Sequence, residues 1–141
     1  MGLLDLASAN SFWRGHDYYE SNKVIESEKL DEFQYRGKVA GSRDVPYEVT
    51  IDIKHPKKST CNCPHAEGER RICKHKVALY FSVFPEEAAR VLKEAEEWEA
   101  EEEARLQDEY IGVERYVYSL SKEELRAELL WRMMDEIENS R

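Results

Sequence analysis

The stretch Cys61-Asn62-Cys63-Pro64-His65-Ala66-Glu67-Gly68-Glu69-Arg70-Arg71-Ile72-Cys73-Lys74-His75 decides how this chain is read. It holds all three cysteines of the 141 residues, and a histidine stands two positions after the last of them. Two short pairs, nine residues apart, offer three thiols and an imidazole. Zn2+ prefers four such soft or borderline ligands in a tetrahedron, with Zn–S of about 2.3 Å and Zn–N of about 2.0 Å. Two cysteines separated by one residue converge where the chain turns at the end of a strand, and the nine-residue loop is long enough to return the second pair. Pro64, Gly68 and their polar neighbours suit such a surface excursion. The expected metal ligands are Cys61, Cys63, Cys73 and His75. His55 and His65 compete for the fourth position, although His65 lies only two residues from Cys63 and would crowd the first pair.

Other chemistries fit the pattern less well. An odd number of cysteines cannot be closed into disulfides alone. A redox pair usually has two residues between its thiols, whereas Cys61 and Cys63 have one. A nucleophilic cysteine with a histidine base needs an orienting group and an oxyanion donor, and none is suggested. Three buried structural cysteines with an incidental histidine remain as the plain alternative.

Outward from the motif, Phe12 to Tyr19 reads as a short helix with Ser11 at its N-cap and with Trp13 and Tyr18 or Tyr19 turned to the core. His16 reads as a surface or hydrogen-bonded histidine. Segments 24–30, 33–40 and 46–53 read as strands. In the third, Tyr47, Val49, Ile51 and Ile53 alternate with Glu48, Thr50 and Asp52, the period of a half-buried antiparallel strand. Gly41-Ser42-Arg43-Asp44 fits the turn before it. Lys76 to Phe81 continues as a helix beginning at or near Cys73. The fold expected is α+β: a short N-terminal helix, a small antiparallel β-sheet, a zinc knuckle leading into a helix, and a helical C-terminal extension.

Charge divides the chain near Phe84-Pro85, where Pro85 suits the first turn of a new helix. Residues 1–85 carry a net +1 and residues 86–141 a net −10, giving the overall −9. The expected domains are therefore a zinc-binding domain over 1–85 and an acidic helical extension over 86–141. In the latter, Ala88, Val91, Ala95, Trp98 and Leu106 lie near one helical face, and Val113, Tyr116, Val117 and Leu120 keep helical spacing. Ser121-Lys122-Glu123-Glu124 matches a capping box and opens a helix with Leu125, Leu129, Met133 and Ile137 on one stripe, widened by Leu130, Trp131 and Met134. That stripe is either packed as core or offered as an adaptor or dimer surface. No apolar run approaches the roughly 18 residues of a membrane span, and Leu3-Leu4-Asp5-Leu6 is too short for a secretory signal. A cytoplasmic location is expected, with nucleoid association as its alternative.

The Cys-x-Cys…Cys-x-His arrangement resembles the SWIM zinc finger, and the flanks agree. Arg14, Gly15 and Tyr18 match the Arg-Gly…Tyr segment that family members carry before the finger. Gly41, Ser42, Tyr47, Glu48 and Val49 match a Gly-Ser turn followed by a Tyr-x-Val strand. Cys73-Lys74-His75-Lys76-Val77-Ala78-Leu79 resembles the closing Cys-Lys-His and apolar helix. The resemblance covers Ser11 to Phe84, with a weaker match at Tyr116 to Leu125. It implies a DNA- or protein-interaction unit holding one structural Zn2+ and without catalysis of its own. No phosphate-binding Gly-x-x-x-x-Gly-Lys-Ser/Thr loop is present, so the enzymatic functions of the family's fusions are not carried over.

From Lys54 to Lys76 seven basic residues face two acidic ones. A zinc with three thiolates adds −1, which leaves a cationic surface around the finger. The expected partner is nucleic acid, DNA before RNA, contacted through Lys57, Lys58, Arg70, Arg71, Lys74 and Lys76. The alternative is a protein–protein adaptor that uses the acidic and amphipathic C-terminal helices, with zinc purely structural. Neither a membrane nor a small-molecule substrate is expected, and no enzyme chemistry can be assigned.

Overall fold

The computed structural model describes residues 2–141. A 3-10 turn at Leu4–Leu6 leads into helix α1, Ala9–Glu20. Its N-cap is Ser8, whose Oγ accepts the backbone N–H of Ser11 at 3.1 Å. The cap expected at Ser11 is thus corrected: the helix starts earlier, and Ser11 supplies one of the orphan donors that a cap satisfies. Asn22, at φ 57°, turns the chain out of the helix, a conformation that Asn tolerates better than most residues.

Three strands follow where they are expected, the third alone from its alternation: β1 Val24–Lys29, β2 Gln34–Val39 and β3 Tyr47–Asp52. Asp31 shapes the β1–β2 turn, its Oδ1 accepting from the N–H groups of Phe33 and Gln34 at 2.9 Å each. After a 3-10 turn at Pro56–Lys58, a two-residue strand β4, Thr60–Cys61, completes an antiparallel sheet of order β1-β2-β3-β4. The sequence reading missed β4, which is too short to show a period. In β3, Tyr47, Val49 and Ile51 are buried as alternation requires; Asp52 is buried too, because its Oδ2 accepts from the Gln34 amide and its Oδ1 from the His55 N–H.

Helix α2, Lys74–Val83, packs against the sheet and against α1. Residues 75–79 and Phe81 are all buried, as befits a helix covered on more than one side. His16 is buried, and its Nε2 lies 3.0 Å from the Ala88 carbonyl oxygen. Trp13, expected in the core, is 39% exposed, while Tyr18 and Tyr19 pack partly buried against the core.

Helix α3 runs from Pro85 to Ser119 and α4 from Lys122 to Asn139. Ser121 caps α4 in the expected capping box with Glu124. The chain divides into two compact units, the first ending at Leu92 and the second being Lys93–Arg141. No residue of the second unit is buried. Leu125, Leu129, Met133 and Ile137, for which core packing was one expectation, are exposed there. No helix among the described residues is long and apolar enough to cross a membrane. The architecture is α+β.

Candidate metal centre

The last strand and the start of α2 deliver the four predicted ligands. Asn62 pairs with Glu48 of β3 twice: its Oδ1 accepts the Glu48 N–H at 2.9 Å, and its own N–H reaches the Glu48 carbonyl at 3.4 Å. The residue between the two cysteines is thereby held at the sheet edge, and both Cys61 and Cys63 are buried. The Cys63 carbonyl then accepts from the N–H groups of Ala66 and Glu67, and Gly68, at φ 75°, takes the left-handed conformation that the loop needs. Cys73 is the N-cap of α2, which puts His75 in the helix's first turn.

The ligand atoms of Cys61, Cys63, Cys73 and His75 all lie within 4.8 Å of one another, and all four residues are buried. His75 Nδ1 is 3.7 Å from Cys61 Sγ and 3.9 Å from Cys73 Sγ. Zinc bonds of about 2.0 and 2.3 Å at tetrahedral angles place neighbouring ligand atoms about 3.5 to 3.8 Å apart, so the donor set fits the ion. Without metal, Cys73 is the thiol that ionises more readily and Cys61 the one that keeps its proton. Interaction with the Cys61 thiol, helped by His75 and opposed by burial, holds Cys73 well below the ordinary cysteine value, and the same interaction together with burial pushes Cys61 up. Zinc displaces such a proton and takes the thiolate.

The imidazole is oriented by aromatic rings. Tyr47 lies over His75 with centroids 4.5 Å apart, and Tyr18 meets it edge-on at 5.6 Å. With Nδ1 on the metal the proton stays on Nε2, which is buried and has no hydrogen-bond partner among the described residues. Ring packing thus does here what a hydrogen bond to the second nitrogen usually does. Two glycines make the packing possible. A Cβ on Gly41 would meet the Tyr47 ring at 2.2 Å, and one on Gly15 would meet the Val77 side chain at 2.5 Å and the Lys74 carbonyl at 2.8 Å.

Residues 47–84 match the family model of the SWIM zinc finger. This segment is similar to a SWIM zinc finger. No curated protein and no solved structure matches the chain. Cys61, Cys63, Cys73 and His75 would hold one structural zinc, filling a tetrahedron with protein ligands alone. Those ligands lie inside the matched segment, whereas Gly15, Tyr18 and Gly41 lie before it and still serve the same site. His55 and His65, the competing fourth ligands, are exposed and outside the cluster.

The cationic residues around the candidate metal centre separate into two groups. Lys57, Lys58, Arg70 and Arg71 are exposed, and Lys74 is partly exposed, with its ammonium 5.0 Å from the centroid of the Tyr18 ring. Lys76 does not belong with them. It is fully buried, and its Nζ donates to the Arg71 carbonyl at 2.5 Å. Burial pulls its ammonium down from the ordinary lysine value, while the nearby cysteines oppose that shift. Lys76 is therefore a strut between α2 and the ligand loop, with no surface for a phosphate. Sequence reasoning missed Arg14 as a cleft residue. It is exposed on α1 and, with Lys57, His65, Arg70, Arg71 and Lys74, lines a cleft of about 610 Å3 beside Cys63, Cys73 and His75.

Proposed function

We propose that the protein is a non-enzymatic module whose zinc finger binds nucleic acid through the basic cleft beside the metal. One observation carries the reading: the cleft gathers Arg14, Lys57, Arg70, Arg71 and Lys74, together with His65, and no carboxylate lines it. Glu69 does pair with Arg71 at 3.6 Å, which tempers that one charge. Cations so gathered meet phosphates and release counterions, a salt-sensitive contribution that dominates non-specific affinity. Zinc's part is to fold the cleft's walls.

The test is fluorescence anisotropy of zinc-loaded protein against labelled DNA and RNA in a salt titration. Wild type should bind with a steep salt slope, and the variant with Lys57, Lys58, Arg70 and Arg71 changed to Glu should lose binding by about a hundredfold or more. No binding at low salt would reject the reading.

A second reading attaches to the unit Lys93–Arg141. It carries 16 acidic and 7 basic residues, and Trp98, Leu106, Tyr110, Val113, Leu129, Met133 and Ile137 are exposed. Charge complementarity favours a basic, amphipathic protein segment as its partner, in the manner of a helix docked through apolar anchors. Titration calorimetry with a synthetic Leu/Lys amphipathic helix should give binding that Leu129→Asp with Met133→Asp removes. Equal binding by the variant would reject this reading.

A further inference from the structure

We infer that the basic cleft is part of a longer groove that takes a single-stranded nucleic-acid backbone rather than a duplex. The inference rests on the nucleic-acid reading above and names the form of its ligand. A second cleft, of about 460 Å3, is lined by Lys54, His55 and Lys58 and shares Leu6, Lys57 and Arg70 with the first. Two clefts with three residues in common make one continuous depression, and no Asp or Glu lines either part. Its cations come from separate elements: Arg14 from α1, Lys57 and Lys58 from the 3-10 turn, Arg70 and Arg71 from the ligand loop, and Lys74 from the start of α2. Four separate elements thus bring cations to one open depression.

A duplex is read by an element that protrudes into its major groove, commonly an exposed helix. The helix that follows the ligands cannot do this. Residues 75–79 of α2 are buried, and the helix packs against both the sheet and α1. A duplex laid on the depression would reach only its rim. A single strand is narrow and flexible enough to lie inside, where cations on several sides track its backbone. The apolar lining is Leu6, Pro56 and Ile72, and no Phe, Tyr or Trp joins the imidazoles of His55 and His65 as a platform for a base, so discrimination among bases should be weak.

The experiment uses the full zinc-loaded chain with labelled oligo(dT), oligo(rU), a mixed-sequence single strand and a duplex of equal length. The single strands should bind at least about tenfold more tightly than the duplex, with similar affinities among themselves and a log–log salt slope of about −0.7 for each phosphate contacted. Arg14→Glu should weaken single-strand binding about tenfold or more. Because Arg14 sits on the helix that packs on α2, Lys57→Glu on the exposed turn provides the same test should Arg14→Glu fail to fold. Duplex binding as tight as, or tighter than, single-strand binding overturns the inference and leaves the nucleic-acid reading standing. Single-strand binding unaffected by both substitutions also overturns it, because the ligand would then lie elsewhere. Absence of binding to every oligonucleotide rejects both.

Discussion

Gly15 and Gly41 supply no ligand, yet the zinc centre depends on the space they leave for Val77 and Tyr47. Gly15→Ala pushes a methyl group into Val77 and the Lys74 carbonyl, and overpacking of that kind costs about 1–3 kcal/mol. A fall in thermal midpoint, with zinc still bound at saturating metal, is the expected result, and an unchanged midpoint contradicts the packing argument. Lys76→Met keeps most of the buried volume but removes the charged donor to the Arg71 carbonyl, and a hydrogen bond to a charged group is worth about 1.5–3 kcal/mol. That variant should lower the midpoint without altering the salt slope of oligonucleotide binding, which separates a strut from a phosphate contact. Acid acts through the ligands themselves: protons compete with zinc for three thiolates and one imidazole, so lowering the pH releases metal and raising it retains metal. A chromophoric chelator should report rising zinc release as the pH falls below neutral. The four ligands were legible because their chemistry and spacing are both rare. Lys76 was misplaced because nothing local shows that a long aliphatic stem will be covered by an adjoining helix and sheet.

Strand β3 could be read from its alternation and the turn before it, and the ends of β1 to β3 all fall within a residue or two of expectation. Strand β4 could not, since two residues have no period and its pairing is set by β3 across the sheet. Helix α2 was visible as an apolar run, but its enclosure follows from tertiary packing. The long helix α3 relies on its own surface pairs: Arg105 reaches Glu102 and Glu109 at 2.7 Å each, and Arg90 pairs with Glu87. Exposed pairs of this spacing contribute a few tenths of a kcal/mol each and weaken in salt. Helix α4 depends more on its start. Ser121 accepts the Glu124 N–H at 3.2 Å, and the Glu124 carboxylate accepts the Ser121 N–H at 3.0 Å. Ser121→Ala should cost about 0.5–2 kcal/mol of local helix stability. Faster amide exchange confined to the first turns of α4 is the signature, and unaltered exchange there would show that the cap is dispensable.

At the scale of the whole molecule, two units of different character share one chain. The unit ending at Leu92 holds the buried core, the sheet and the metal centre, and the unit Lys93–Arg141 buries no residue. The net charge of −9 hides this division, because the acid lies in the C-terminal third while the finger's surface is cationic. Ligand chemistry and charge patterning could be read along the chain, whereas the groove could not, because Arg14 and Arg70 meet only after folding. A domain's net stability is about 5–15 kcal/mol, and a structural zinc contributes on the order of 10 kcal/mol at neutral pH, so the finger's fold and its metal should be inseparable. Thermal unfolding of the full chain, with and without a strong chelator and alongside elemental analysis, measures this directly. One zinc per chain is expected, with loss of the cooperative transition of the sheet-containing unit on chelation and in Cys73→Ser. Metal-free protein that keeps the native midpoint would contradict the account.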